Sequence, residues 1–233
     1  MKPFALVLAG ARDSLPMLVG AAPFGVIFGT LAVGAGLSAG AALAMSAFVF
    51  AGSSQFVAVS LIGAGAALPV IWLTTFVVNL RHALYSATLL PYARDWSARW
   101  RWPLAFWLTD ETFAVVEHRF RSQGTEGGQW YQLGSSLAMY LNWFLWSAVG
   151  VTLGKVMPGL AGWGLDFAMV ATFTAIAAPQ LKQRPALAAA VVAGAVALLA
   201  RALPYKLDLM LAALFGVLAG VACERLAERR VPA

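Results

Sequence analysis

Apolar residues run through this chain in long blocks, without the strict alternation of a half-buried strand or the narrow apolar stripe of a soluble helix. The blocks cover residues 15–37, 39–64, 68–90, 103–116, 131–153, 163–181, 186–203 and 207–222. About 20 apolar residues are needed for a helix to cross hydrocarbon. The pattern therefore predicts an all-α, polytopic integral membrane bundle of about six to eight membrane segments. Residues 1–233 are expected to form a single transmembrane domain. The run that begins at Leu15 is too long for a cleaved signal peptide and reads as the first span. Residues 119–129, with Gly124, Gly127 and Gly128, are the most polar stretch and are predicted to be a flexible loop.

Composition supports lipid as the solvent. Of the 233 residues 61% are apolar and only 11% charged, against roughly 25% charged in a soluble domain. The net charge of +6 does not point to nucleic acid, because the 16 Lys and Arg lie mostly between the apolar blocks and no basic stripe interleaves with aromatics. Positive-inside bias accounts for that placement. Trp96, Trp100, Trp102 and Trp130 flank segments and read as interfacial anchors. Cys223 is the single cysteine; it has no partner for an internal disulfide, and no metal or cofactor motif accompanies it.

The basic residues also test the span count. Arg94, Arg99 and Arg101 share one connection, Arg119 and Arg121 the next, and Arg225, Arg229 and Arg230 lie near the C-terminal end. A cytoplasmic C-terminus puts Arg119 and Arg121 inside after four full spans, yet Arg94 to Arg101 also favour the inside and one apolar block separates the two. That block, 103–116, carries Asp110 and Glu111 in its middle. A re-entrant or broken helix there removes the conflict; the alternative is one violation of the charge rule. The same counting asks one of the first three blocks not to cross, and 39–64, interrupted by Gly52-Ser53-Ser54-Gln55, is the candidate. A weak repeat points the same way: at an offset of 125 residues, Gly25, Gly29, Phe48, Gln55 and Arg81 fall on Gly150, Gly154, Phe173, Gln180 and Lys206. Broken helices in inverted repeats are a recurring transporter plan, although a chain rich in Ala, Gly and Leu also produces such matches by chance.

Ionisable groups at the centre of a bilayer cost at least about 2.5–3.5 kcal/mol on insertion scales, so each one inside an apolar block is a candidate for function. Three clusters qualify. Gly52 can break a helix, and Ser53, Ser54 and Gln55 can then bind a solute or re-satisfy the freed backbone; the competing reading is small-residue helix packing. Arg81 lies near the middle of its block, with Asn79, His82 and Ser86 on one helical face and Tyr85 beside them. Asp110 is the natural counter-ion of Arg81, or the site of a carried proton. Glu111 projects about 100° away from Asp110 on a helix, so the two cannot share one partner. A purely structural ion pair is the competing reading. Gly25-x-x-x-Gly29, behind Pro23, reads as close packing in a kinked helix. Glu117 and His118 are expected to be solvated, and Asp166, near the start of a span, is left open between a structural and a functional reading.

The absence of G-x-x-x-x-G-K-[ST] excludes a P-loop ATPase, since Gly154-Lys155 is followed by Val156. Transport would then be secondary or passive. A passive channel is one alternative. An intramembrane serine hydrolase using Ser53 or Ser54 with His82 and Asp110 is another, but Gly52-Ser53-Ser54-Gln55 is not a nucleophile elbow.

Pro23-Phe24-Gly25, the stretch 50–56, Asn79-Leu80-Arg81-His82 with Leu84-Tyr85-Ser86, and Thr109-Asp110-Glu111 with Phe113 occur here in one order. In this the chain resembles the AzlC family of bacterial branched-chain amino-acid exporters. The motifs lie in the first half of the chain. The resemblance implies the large subunit of a two-component, multi-pass inner-membrane exporter, not an enzyme, working with a small hydrophobic AzlD-like partner. Its substrates would be branched-chain amino acids and, in some members, methionine. The polar groups inside the apolar blocks make Gly52, Ser53, Ser54, Gln55, Asn79, Arg81, His82, Tyr85, Asp110 and Glu111 the candidates for substrate or ion binding; the resemblance supplies the motifs, not these roles.

Overall fold

A computed structural model describes residues 2–157, 174, 180–203 and 207–228. The helices among them are α1 (Pro3–Asp13), α2 (Leu15–Gly34), α3 (Ala39–Phe48), α4 (Gly52–Gly63), α5 (Leu68–Asn79), α6 (Arg81–Ala93), α7 (Ala98–Phe106), α8 (Asp110–Gln123), α9 (Gly128–Val156), α10 (Arg184–Leu199) and α11 (Leu207–Glu228). A 3-10 turn, Gln180–Lys182, precedes α10, and the described residues contain no strand. Most of the apolar block 163–181, with Asp166, and the repeat positions Phe173 and Lys206 lie outside the described residues, as does the side chain of Gln180.

Two compact units emerge. One comprises Met1–Val59 and Thr75–Trp163, the other Ser60–Thr74 and Gly164–Ala233. In the first, α9 is the axis. Gly25 and Gly29 of α2 face Trp146, Ser147 and Val151, while Gly150 faces the Val26 carbonyl and Gly154 faces Thr30. A Cβ at Gly25 would stand 2.8 Å from that of Trp146. Small residues let two backbones approach where lipid offers no hydrophobic drive for association. Thr30 Oγ1 donates across this seam to the Gly150 carbonyl at 3.1 Å. In the second unit Gly216 and Gly220 of α11 face Ala189, Ala193 and Pro185 of α10.

The N-terminal helix α1 was not expected from the apolar pattern. It lies along α9, where Gly10 faces the Tyr131 carbonyl and Gly134 faces that of Val7. Ser14, between α1 and α2, donates to the Gly10 carbonyl at 2.8 Å and shares a hydrogen bond with Ser135 at 2.7 Å. The predicted loop 119–129 is mostly helical: only residues 124–127 lie between α8 and α9, with Gly124 and Gly127 at positive φ. Glu117, expected in water, is only partly exposed and pairs with Arg121 one turn on at 3.1 Å; His118 is exposed.

Interruptions define the rest of this unit. Block 39–64 is broken at residues 49–51, ahead of Gly52. Block 68–90 is interrupted at Leu80, so Asn79 and His82 belong to different helices and do not share a helical face. Block 103–116 consists of the end of α7 and the start of α8, separated by residues 107–109. Thr109 caps α8, accepting from the Thr112 N–H at 3.4 Å, and Asp110 and Glu111 occupy the first turn. Acidic groups are favoured there by the helix dipole. Among the described residues only α2 (20 residues) and α9 (29 residues) are each long and apolar enough to cross a membrane.

Candidate functional site

The breaks leave backbone carbonyls that a continuous helix would use, and α9 supplies many of the missing donors. Ala47 would accept from residue 51 in an unbroken helix; its carbonyl instead receives the Tyr140 hydroxyl at 3.0 Å. Leu108 N–H turns back to Ala105, and Gln132 Nε2 reaches the Leu104 carbonyl at 3.3 Å. Asn142 Nδ2 also donates to a carbonyl of α2, that of Leu18, at 3.1 Å, beside Val19, whose carbonyl loses its helical donor at Pro23. In hydrocarbon no water can take these partners' place. None of the α9 donors was singled out from the sequence. The available signal was an amide, a phenol and an indole (Gln132, Tyr140 and Trp143) close to helical spacing within an apolar span.

The Gly52–Gln55 cluster is built into the same framework. Gln55 is fully buried; it accepts from Trp143 Nε1 at 2.9 Å and donates to Ser46 Oγ at 3.4 Å. Trp143 stacks on Phe28, whose ring also meets Phe56 edge-on. Ser54 donates to the Ala51 carbonyl at 3.0 Å, and the buried Ser53 hydroxyl has no partner. Gly52 does not supply the unusual backbone. Phe50 does, at φ 36°, with its ring against Tyr140 at 4.9 Å. Gly52 is needed for space, since a Cβ there would lie 2.9 Å from Trp143.

A second cluster forms where the α5–α6 interruption meets the start of α8. Arg81 Nη1 pairs with Asp110 Oδ2. The two side chains are 26% and 37% exposed, yet Arg81 Nε and Asp110 Oδ1 are buried and have no hydrogen-bond partner. Asn79 Oδ1 is likewise buried and unpaired. His82 Nδ1 lies 3.0 Å from the Asn79 carbonyl oxygen, and its ring stands edge-on to Tyr85. Tyr85 stacks on Phe113 of α8 with centroids 4.5 Å apart. Glu111 makes no ion pair among the described residues.

Arg81 and Asp110, far apart in sequence, are thus brought together, as are Gln55, Ser46 and Trp143. The expected serine hydrolase set is not brought together: Ser54 and His82 both bond backbone carbonyls, and the Ser53 hydroxyl has no hydrogen-bond partner among the described residues. No group of three or more potential metal ligands occurs among the described residues.

Comparison with known proteins identifies this arrangement. The AzlC protein family profile matches residues 16–157, a span that contains all but the first residue of α2, the whole of α3 to α9 and both clusters. The chain belongs to the AzlC family. A membrane protein of Helicobacter pylori, named only as uncharacterized, is 32% identical over 181 residues, covering 76% of this chain and 78% of the relative. The Branched-chain amino acid transport protein AzlC of Bacillus subtilis is 30% identical over 164 residues, 70% of this chain and 63% of the relative. Inner membrane protein YgaZ of Escherichia coli is 28% identical over 156 residues, 65% and 62% respectively. No solved structure matches the chain. Two of these relatives are named membrane proteins, and this AzlC member, helical in its described residues, is a membrane protein too. Its surface agrees, with Trp72, Phe76, Leu84, Leu198 and Leu199 all more than 60% exposed and suited to lipid.

Proposed function

We propose that this AzlC protein is the large subunit of a secondary transporter that exports branched-chain or similar hydrophobic amino acids across the bacterial inner membrane. It would act as one transport domain over 1–233, without enzymatic activity, beside a small hydrophobic AzlD-like subunit. The observation that carries the reading is the Arg81–Asp110 pair at two helix interruptions, each partner keeping a buried, unused polar atom. A zwitterion needs a cation for its carboxylate and an acid for its ammonium, and Arg81 and Asp110 offer both. Asn79, His82, Tyr85 and Glu111 surround or adjoin that pair in sequence, and Gly52 to Gln55 hold the α3–α4 break that frames the same unit. The name of the Bacillus subtilis relative supports the choice of substrate.

The finer topology belongs to the same proposal. The pairs α3–α4, α5–α6 and α7–α8 would be broken or re-entrant membrane segments, bringing the total to about six to eight, with the C-terminus cytoplasmic. Efflux from preloaded proteoliposomes, with and without the partner subunit, tests the whole reading. Leucine and methionine should leave faster than an unrelated polar amino acid, and only weakly without the partner. Full export by the single chain would remove the two-component assignment. Ion conductance without amino-acid flux would replace the carrier with a channel.

A further inference from the structure

We infer that the Arg81–Asp110 pair is a latch opened by exchange: the ligand's carboxylate takes Arg81 and its ammonium takes Asp110, so only a molecule carrying both charges opens it. The inference rests on the amino-acid reading above and adds a rule of selection to it.

The pair is under-satisfied. A guanidinium has five donors and commonly grips a carboxylate through two of them, but here one Arg81 nitrogen meets one Asp110 oxygen. Arg81 Nε and Asp110 Oδ1 remain buried without partners. A ligand carboxylate gripping Nε together with an Nη would recover the idle donor. A ligand ammonium has three donors, enough for both Asp110 oxygens and one further acceptor. Asn79 Oδ1, two residues from Arg81, is a buried acceptor with no partner.

Opening the pair need not separate the helices. Tyr85 lies one turn beyond Arg81 on α6, Phe113 one turn beyond Asp110 on α8, and their rings stack at 4.5 Å. The stack ties α6 to α8 alongside the pair while the ionic contact is exchanged. Charge balance then sets selection. A zwitterion replaces one ion pair with two and adds no net charge. A lone acid would occupy Arg81 and strand Asp110, and a lone amine would strand Arg81. An unpaired charge out of water is the unfavourable state.

Competition against radiolabelled leucine on the purified complex in nanodiscs tests this, using 4-methylpentanoate, which lacks the ammonium, and 3-methylbutylamine, which lacks the carboxylate. Neither should displace leucine from the unaltered protein. Asp110→Asn should weaken leucine and improve 4-methylpentanoate, each by about tenfold or more, the scale of one lost or gained charged hydrogen bond. Arg81→Gln should do the same for leucine and 3-methylbutylamine. Displacement by either analogue within a few-fold of leucine itself would overturn the latch while leaving amino-acid transport intact. So would folded variants whose analogue preference does not change. If a variant does not fold, the unaltered protein still decides through its response to the two analogues. Failure of the unaltered complex to bind leucine or any other amino acid would remove the transport reading and the latch with it.

Discussion

Gly52 shows what a single residue contributes. Its missing side chain makes room for Trp143, whose ring is fixed by its bond to Gln55 and its stack on Phe28. Gly52→Ala would bring a methyl to 2.9 Å from a ring that has nowhere to retreat. Overpacking of this kind costs typically about 1–3 kcal/mol. The purified variant should melt at a lower temperature in detergent; an unchanged melting point would mean the ring has slack. The residue was visible in sequence, but its reason was not. Glycine suggests conformational freedom, and the positive φ belongs to Phe50 two positions earlier. Arg81 and Asp110 were easier to find, because the cost of a charge in hydrocarbon is a property of the residue itself.

At the scale of elements, α9 is the hub on which the broken helices rest. Tyr140 closes the α3 break through the Ala47 carbonyl. Tyr140→Phe keeps the ring that packs on Phe50 and removes only the donor. A carbonyl left unpaired away from water costs about 1–3 kcal/mol, and this one, part-buried, belongs at the lower end. Thr152→Val provides the contrast: this exposed hydroxyl bonds the Ala148 carbonyl on its own helix, and its loss should stay within about 0.5 kcal/mol. Thermal unfolding of the two variants side by side checks the ordering, and equal destabilisation would contradict it. The glycine pattern of α2 was legible as close packing. The mate was not, because periodicity shows that a face is small without showing which helix meets it. The weak repeat had linked Gly25 and Gly29 to Gly150 and Gly154 by register; in the fold the two sets lie on one seam between α2 and α9.

For the whole molecule, the expected outcome concerns topology. If α7 and α8 form one re-entrant segment, the basic stretches 94–101, at the start of α7, and 119–121, near the end of α8, lie on the same, cytoplasmic, side. With Cys223 replaced by Ala, single cysteines at Arg99 and Arg121 should both resist an impermeant thiol reagent in intact cells and both react in inverted vesicles. Reaction of one from each side would make 103–116 a full crossing.

The sequence alone determined the solvent, the helical class, the family and the positions where charge enters the apolar blocks. Each of these follows from composition, local spacing or a short motif, and none needs a distant partner. Breaks in 39–64 and 103–116 were expected from the sequence; the further break at Leu80, and why all three are tolerable, was decided by tertiary structure. The block 68–90 reads as one helix by its apolar pattern, and its interruption at Leu80 is invisible to periodicity. Gln55 finds its acceptor's donor 88 residues away in Trp143, and Ala47 finds Tyr140 at 93. A backbone group in hydrocarbon must be paired by some neighbour, and which neighbour arrives is set by packing across the bundle, which no local window of sequence contains.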